Sequence, residues 1–318
     1  MKFTVEKNII FKSLSHAQSI VEKKNTLPIL SNILLEVREN SLILSSTDMD
    51  ISITERLECN VIEEGSTTVL AQTLYDIIRK LSDSSEIEFI SNDGKIMSLR
   101  SGKSKFSLSC LPKEDFPIIE IGNLENEINI ISHDLLKLIS KTRFAISNEE
   151  TRYFLNGVYF HKKIEAETNY LSVVATDGHR LAKFDSKFKN SIPDITGVII
   201  PKKTINELSK LLIDVDSLVK INLNSNKIVF FIENSVLISK LIDGNFPDYK
   251  RVIPTNNNNI LKVNRQDLSQ AVDRVSTITN DKLPVIKFKI LNNIMNLSAV
   301  NSENGMATED ITIKYSGE

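Results

Sequence analysis

The sequence has only two cysteines, Cys59 and Cys110, and no Cys-x-x-Cys pair. Two isolated thiols rule out a disulfide framework, disfavour a structural zinc site and are typical of a reducing cytoplasm. No stretch approaches the roughly 20 apolar residues that a membrane-spanning helix needs. The opening "MKFTVEKNII" lacks the apolar run and small-residue cleavage site of a signal peptide. We therefore expect a cytoplasmic protein that is not inserted in a membrane.

Signatures of catalysis are also scarce. The sequence contains no Gly-x-Ser-x-Gly and no phosphate-binding glycine loop. The four histidines lack the spacing of metal ligands; they are His16, His133, His161 and His179. We therefore expect no metal and no cofactor. The net charge of −2 gives no direct indication of a nucleic-acid partner.

A repeat is the most informative feature of the chain. With 318 residues, 41% hydrophobic and 25% charged, the sequence suits two or three globular domains. Three segments open with apolar residues at strand spacing and pass through a polar turn into an amphipathic helical pattern: "FTVEKNIIFKSL" from Phe3, "INIISHDLLKLI" from Ile128 and "LKVNRQDLSQAV" from Leu261. The common order predicts three related domains, at residues 1–120, 127–248 and 253–318.

Later parts of the repeats match as well. "FSLSCLPKEDFP" from Phe106 lies over "VLISKLIDGNFP" from Val236 at an offset of 130 residues. "LSSTD", ending at Asp48, matches "VVATD", ending at Asp177, and "LSAVN", ending at Asn301, occupies the same place in the third repeat. By the same offset the third repeat would close near residue 376, beyond Glu318, so it is incomplete in this sequence.

Within a repeat the pattern is mixed. The first contains an amphipathic helix with apolar residues at 10, 14, 17 and 21, and short alternating strands such as "NILLEV", "SLILSS" and "ISITERL". A second helix, "LAQTLYDIIRKL", precedes hairpins at Asp93-Gly94 and Ser101-Gly102. "PKKTINELSKLL" matches that helix in the second repeat, with Pro201 placed in its first turn. Two helices packed on antiparallel strands define an α+β domain.

Charge is distributed unevenly between the predicted helices and the rest. The five helical segments carry +8 together, and the remaining residues carry −10. Lysines that merely solvate exposed helix faces are one explanation. The other is a basic surface that neutralises phosphates without reading bases, and the helices lack the interleaved aromatics that would favour single strands.

The stretch "TDGHR", residues 176–180, permits an enzymatic interpretation. Asp177 and His179 could act as a base and its orienting group, or as metal ligands, which would make the protein a hydrolase. The equivalent stretch of the first repeat, "TDMD", keeps the aspartate but has no histidine. That comparison favours a structural turn in which the aspartate bonds its own backbone.

Eight segments together resemble the bacterial sliding clamps, the beta subunits of DNA polymerase III. They are "MKFTVEK", "TLPILSNILLEV", "TDMDISI", "SGKSKFSLSCLP", "RYFLNGVYF", "VATDGHRLA", "LIDGNFPDYKRVIP" and "IKYSGE". They occur in the order of that family and run from Met1 to Glu318. The similarity is C-terminally truncated, because the family chain continues for roughly half a domain, which supplies one wall of a peptide groove.

The resemblance implies a DNA-clamp fold, with three domains per subunit and two subunits closing head to tail into a homodimeric ring. Such a ring encircles duplex DNA without sequence specificity and tethers the replicative polymerase, so that synthesis becomes processive, and it catalyses no reaction itself. The implied partners are duplex DNA, the polymerase III catalytic subunit, the clamp loader, and other polymerases and repair proteins that bind through short peptides.

Three sets of residues follow from matching positions. The peptide groove would comprise Leu155, Thr176, Gly178, His179, Arg180, Leu181, Pro247, Arg251 and Val252. The DNA-facing residues would be Lys24, Lys80, Lys137, Lys141, Lys202 and Lys203. The dimer contact would join Ile78, Lys103, Lys105 and Phe106 of one subunit to Thr277, Ile278, Glu303 and Glu309 of the other.

Overall fold

The computed structural model describes residues 1–22, 27–124, 126–188, 193, 195, 197–279 and 284–317. It divides into two compact units, Met1–Phe246 and Pro247–Glu318, each with its own hydrophobic core. None of the described helices is long and apolar enough to cross a membrane.

The described residues of the first repeat form nine strands and two α-helices. In chain order they are β1 (Lys2–Glu6), α1 (Lys7–Ile20), β2 (Asn32–Arg38), β3 (Ser41–Thr47), β4 (Ile51–Glu58), β5 (Asn60–Glu63), β6 (Gly65–Leu70), α2 (Ala71–Lys80), β7 (Glu86–Ile90), β8 (Ile96–Ser101) and β9 (Ser104–Leu111). Short 3₁₀ turns lie at Pro28–Ser31 and Lys113–Asp115. The predicted helices, strands and hairpins are therefore confirmed.

The second repeat follows the same plan. Its elements are β10 (Asn126–Ile131), α3 (Ser132–Ser140), β11 (Gly157–Glu165), β12 (Thr168–Thr176), β13 (Leu181–Phe188), β14 (Val198–Pro201), α4 (Lys202–Leu211), β15 (Leu218–Leu223), β16 (Lys227–Ile232) and β17 (Ser235–Lys240). Two 3₁₀ segments, Arg143–Ala145 and Glu150–Leu155, connect α3 to β11. Pro201 ends β14 and caps α4, one residue before the first turn in which the sequence pattern placed it.

Hydrophobic spacing explains how the helices attach. Ile10, Leu14 and Ala17 form one apolar stripe of α1 and are fully buried. Leu74 and Ile78 do the same for α2. α1 contacts α2 on one side and α4 on the other, and α4 in turn contacts α3. The four α-helices described in the larger unit thus form one row, in the order α2, α1, α4, α3.

The strands of the larger unit form two sheets. Thirteen strands are continuous in the order β10-β15-β16-β17-β4-β3-β2-β6-β9-β8-β7-β1-β5, and four more pair as β13-β12-β11-β14. Antiparallel pairing of β17 with β4, from Ser235 opposite Glu55 to Ser239 opposite Ile51, joins the second repeat to the first. The pairing makes the two repeats one continuous structure.

The smaller unit holds one α-helix and one sheet among its described residues. A 3₁₀ turn at Tyr249–Val252 precedes β18 (Leu261–Val263), α5 (Arg265–Ser276), β19 (Lys287–Leu291), β20 (Ile294–Asn301) and β21 (Gly305–Tyr315). The strand order is β18-β21-β20-β19. The Asn264 side chain accepts hydrogen bonds from the N–H groups of Gln266 and Asp267 and so caps α5. These elements follow the order of the first five elements of the first repeat, a strand, a helix and three strands.

Candidate functional site

The turn between β12 and β13 is built by the side chains of Thr176 and Asp177. Asp177 Oδ1 accepts from the N–H groups of His179 and Arg180, each at 3.0 Å. Thr176 Oγ1 accepts from Gly178 N at 3.1 Å and donates to the carbonyl of Arg180 at 2.8 Å. Both side chains are thus engaged with the backbone, as expected for an Asx turn.

These hydrogen bonds also make Asp177 a weak base. The pKa of Asp177 is lowered to about 2, mainly by the hydrogen bond from the backbone N–H of Arg180. The Arg180 guanidinium, whose Nε lies 2.9 Å from Oδ2, lowers this pKa further. A carboxylate with that pKa does not accept a proton efficiently near neutrality. Among the described residues, no group of three or more His, Cys, Asp or Glu side chains could hold a metal ion.

The same turn occurs in the first repeat. Asp48 Oδ1 accepts from the N–H groups of Asp50 and Ile51 at 2.9 and 2.8 Å, and Thr47 Oγ1 accepts from Met49 N at 3.0 Å. Met49 has φ of 80° and the equivalent Gly178 has φ of 88°. The predicted structural role of the Thr-Asp pair is confirmed in both repeats.

The third repeat makes this turn with an amide. Asn301 Oδ1 accepts from Glu303 N at 2.8 Å and from Asn304 N at 3.2 Å, between β20 and β21. The alignment that placed Asn301 opposite Asp48 and Asp177 is therefore correct at the level of individual hydrogen bonds.

Exposed aromatic and basic side chains surround the Asp177 turn. Phe144 is 58% exposed. The Arg180 guanidinium lies over the Phe144 ring, 5.9 Å from its centroid. Arg152 is held by Glu149, with Nε 2.7 Å from Oε2. The sequence analysis did not identify Phe144 or Arg152 as site residues; Arg152 was only part of the family-like segment "RYFLNGVYF".

Other residues predicted for the groove fall in two places. Leu155 is buried at the end of its 3₁₀ segment, and Leu181 is half-buried at the start of β13. Pro247, Arg251 and Val252 belong to the smaller unit. Val252 is 67% exposed, and Arg251 Nε pairs with Asp248 at 2.9 Å.

The predicted DNA-facing lysines differ in their surroundings. Lys80 and Lys141 are exposed at the C-terminal ends of α2 and α3. Lys137 is exposed on α3, with its ammonium 5.6 Å from the Phe184 ring centroid. Lys202 donates a hydrogen bond to Asn148. Lys24 lies outside the described residues.

Lys203 differs from the other lysines of the predicted DNA-facing set because its ammonium is paired with carboxylates. It bonds the Asp48 carboxylate and the carbonyl of Ile20, the latter at 2.8 Å, and lies 3.6 Å from Glu22 Oε1. Two carboxylates offset its charge, so we leave Lys203 out of the phosphate-facing set.

The residues predicted for the dimer contact include one that cannot reach a partner. Ile78 is 0% exposed within the core, so its side chain would contact a second subunit only after the core unpacked. That part of the prediction is wrong. Lys103 and Lys105 are exposed at the start of β9, and Phe106 packs partly against the core.

Strand pairing leaves one edge of β9 open at these lysines. β8 pairs with β9 from Ser104 to Ser109, whereas β6 reaches only Cys110 and Leu111 on the other side. In the smaller unit, Thr277 and Glu303 are exposed, Ile278 is partly buried, and Glu309 binds Arg274 through two hydrogen bonds.

Repeated two-helix domains on antiparallel sheets, with their helices in a row, define the class of DNA clamps. Family models for the DNA polymerase III beta subunit match its N-terminal domain at residues 1–120, its central domain at 129–248 and its C-terminal domain at 250–318. The chain belongs to the DNA polymerase III beta subunit family, the bacterial sliding clamps.

Individual relatives agree with that assignment. The chain is 41% identical to the beta sliding clamp of Caulobacter vibrioides over 319 residues, covering all of this chain and 86% of the relative. It is 36% identical to the beta sliding clamp of Escherichia coli K12, of which it covers 85%. A Bartonella birtlesii sliding clamp bound to griselimycin superposes with a TM-score of 0.93 at 44% identity, covering all of this chain and 85% of that one.

The family settles the choice between the two interpretations of "TDGHR". Sliding clamps are processivity factors without a catalytic centre, and the protein is one of them. The hydrolase hypothesis is therefore rejected.

Proposed function

We propose that the helix row faces duplex DNA inside a ring of two copies of this chain, each with domains at 1–120, 127–248 and 253–318. Lys80, Lys137, Lys141 and Lys202 provide the phosphate-facing charge, as does Lys24, on the segment that follows α1. The observation that carries this assignment is the row itself, because the four segments that contain its helices carry a net charge of +8, whereas the rest of the chain carries −10.

Loose contacts suit this role. A ring is retained by topology, so its contacts with phosphate need not be tight, and contacts that ignore sequence permit sliding. The four lysines lie on three helices, with Lys80 on α2, Lys137 and Lys141 at the C-terminal end of α3, and Lys202 on α4, which spreads their charge along the layer.

We propose that the Asp177 turn forms one wall of a peptide groove. Gly178, His179 and Arg180 are exposed, and their backbone is fixed by Thr176 and Asp177, so the surface is preformed. The partners are the polymerase III catalytic subunit, the clamp loader, and other polymerases and repair proteins that carry short, partly apolar peptides. A structure of the Caulobacter crescentus clamp has polyethylene glycol bound to a putative beta-motif tethering region, and the Bartonella clamp carries griselimycin.

We place the protein in the cytoplasm. Cys59 and Cys110 are both free thiols, and burial raises the pKa of each, so both remain protonated and unreactive near neutrality.

Topological retention is the test of the ring. The fluorescent clamp is loaded onto nicked circular duplex with a bacterial clamp loader and followed by gel filtration before and after the circle is cut once. We expect the protein to co-elute with the circle and to be released from the linear product. Equal loss from circular and cut DNA would contradict the ring.

The groove is tested by replacing Gly178 with valine and measuring griselimycin binding by calorimetry. A Cβ at this position would lie 2.6 Å from Arg152 Nη1, and φ of 88° disfavours any branched side chain. We expect affinity to fall at least about tenfold, because the turn distorts and Arg152 moves. Gly94→Val is the matched control, since Gly94 has φ of 71° with open space around it. Equal griselimycin affinities of the two variants would show that the Asp177 turn is not part of the groove.

A further inference from the structure

The two aspartate turns use the second carboxylate oxygen differently. In both, Oδ1 accepts two backbone hydrogen bonds. Asp177 Oδ2 is then satisfied within its own turn by Arg180 Nε. Asp48 Oδ2 is satisfied by the Lys203 ammonium, which comes from α4 of the following repeat. The third turn, with the neutral Asn301, makes the same backbone bonds and has no second carboxylate oxygen to satisfy.

The Lys203 ammonium joins three elements. Besides Asp48 at the β3–β4 turn, it bonds the carbonyl of Ile20 at the last residue of α1. Lys203 itself is the second residue of α4. The Asp48 side chain is only 7% exposed and that of Lys203 is 35% exposed, so the pair is better shielded from water than a surface ion pair. A single cation thus connects the helix and turn of one repeat to the helix of the next.

Other buried polar contacts accompany it along the same junction. Glu55 on β4 is 5% exposed and accepts from Ser235 Oγ on β17 at 2.9 Å. His16 Nδ1 on α1 lies 3.2 Å from the same carboxylate. Ser19 on α1 bonds Glu207 on α4. The junction is therefore fixed by directional bonds in addition to apolar packing.

We propose that Lys203 is a positioning residue that sets the angle between the first and second repeats through Asp48 and the carbonyl of Ile20. A closed ring needs that angle to be defined, because an error at one junction displaces the far end of the subunit. Backbone pairing of β4 with β17 can still twist and bend about the strand direction. The ammonium restrains this motion from the helical side, at the end of the junction where β4 begins.

The same comparison explains why the Asp177 turn is exposed. Because Arg180 neutralises Asp177 from within the turn, that turn needs no cation from another repeat. The Asp48 turn of the first repeat is therefore part of the junction between the repeats, whereas the Asp177 turn of the second repeat stays exposed.

Distance measurements between the two repeats test the proposal. Spin labels are placed at exposed Lys95 and Lys187 after their replacement by cysteine, with Cys59 and Cys110 changed to serine, and distances are measured by double electron–electron resonance. We expect Lys203→Met to broaden the distribution at least about twofold and Lys203→Arg to restore most of its sharpness. Lys202→Met is the matched control, because it removes the same charge from the adjacent position of α4, and it should leave the distribution unchanged.

A second variant removes the other half of the pair without losing the turn. Asp48→Asn keeps the Oδ1 acceptor, as Asn301 does in the third repeat, and loses only the charge that holds Lys203. We expect the same broadening as with Lys203→Met, and no further broadening in the double variant. A distribution that stays as sharp as the wild type in both single variants would overturn the proposal.

Salt dependence separates a junction role from a DNA contact. Loss of one phosphate contact lowers the slope of log affinity against log salt by about 0.9. Because both copies in the ring carry the substitution, we expect Lys202→Met to lower the slope on duplex DNA by about 1.8 and Lys203→Met to leave it unchanged. An equal loss of slope in the two variants would make Lys203 a DNA contact and overturn its positioning role.

Discussion

Replacing both Lys103 and Lys105 with glutamate is expected to weaken self-association of the chain at least about 100-fold and to prevent retention on circular DNA. The two lysines are exposed at the open edge of β9, and the proposed partner surface carries Glu303 and Glu309. Like charges placed opposite each other at an interface cost several kcal/mol, and each 1.4 kcal/mol is about tenfold in affinity. Because a two-subunit head-to-tail ring contains this contact twice, both contacts weaken together.

Sedimentation velocity across a dilution series measures the effect. Compensating changes, Glu303→Lys with Glu309→Lys, should restore association when combined with the glutamate variant and should weaken the otherwise unchanged chain. Glu309 also binds Arg274 within its own subunit, so Glu303→Lys alone is the cleaner rescue. As a control, Lys95→Glu with Lys187→Glu changes the same number of exposed lysines, one beside the opposite end of β9 and the other on β13. If the β9 variant sediments as the wild type does, the proposed contact is wrong.

Reversing the charge of the helix row is expected to reduce DNA loading by about 100-fold or more. In the variant with Lys80, Lys137, Lys141 and Lys202 all changed to glutamate, repulsion replaces attraction at four of the five proposed phosphate-facing positions of each subunit. Since each lost phosphate contact lowers the salt slope by about 0.9, the variant should also lose most of its dependence on salt. Loader-dependent assembly on nicked circles between 50 and 200 mM salt measures both quantities.

The matched control places the same charge change on strands and turns. Lys95, Lys113, Lys187 and Lys220 are exposed outside the helix row, and their reversal should leave loading close to that of the wild type. Griselimycin binding should survive in both variants, because neither changes the Asp177 turn. Equal losses of loading in the two variants would mean that net charge matters and the helical face does not.

Much of the fold can be predicted from the sequence, because the patterns that encode its helices and turns are local. The helical spacing of Ile10, Leu14 and Ala17 fixes a buried stripe wherever the helix lies. The aspartates at positions 48 and 177 bond N–H groups two and three residues away, so the turn forms without help from distant parts of the chain. Comparison between the repeats also favoured a structural turn over a catalytic site at Asp177, because the histidine beside Asp177 has no counterpart beside Asp48.

Other features depend on residues far apart in the chain, and no local pattern predicts them. The sequence does not distinguish Lys202 from Lys203, yet one bonds Asn148 and the other bonds Asp48, 155 residues away. Ile78 has the spacing of a helix-face residue, but only packing shows that it is enclosed by the core. Phe144 meets Arg180 because two connecting segments converge on one surface.

The sequence by itself determined the repeated domain, its helices and turns, and membership of the sliding-clamp family, because periodicity and short-range hydrogen bonding are encoded within a few residues. Only the tertiary structure decided which of Lys202 and Lys203 is paired with a carboxylate, which strand edge stays open and how the first two repeats are joined. Those properties depend on which charges and strands face each other after folding, and pairing across more than a hundred residues leaves no periodic signal in the chain.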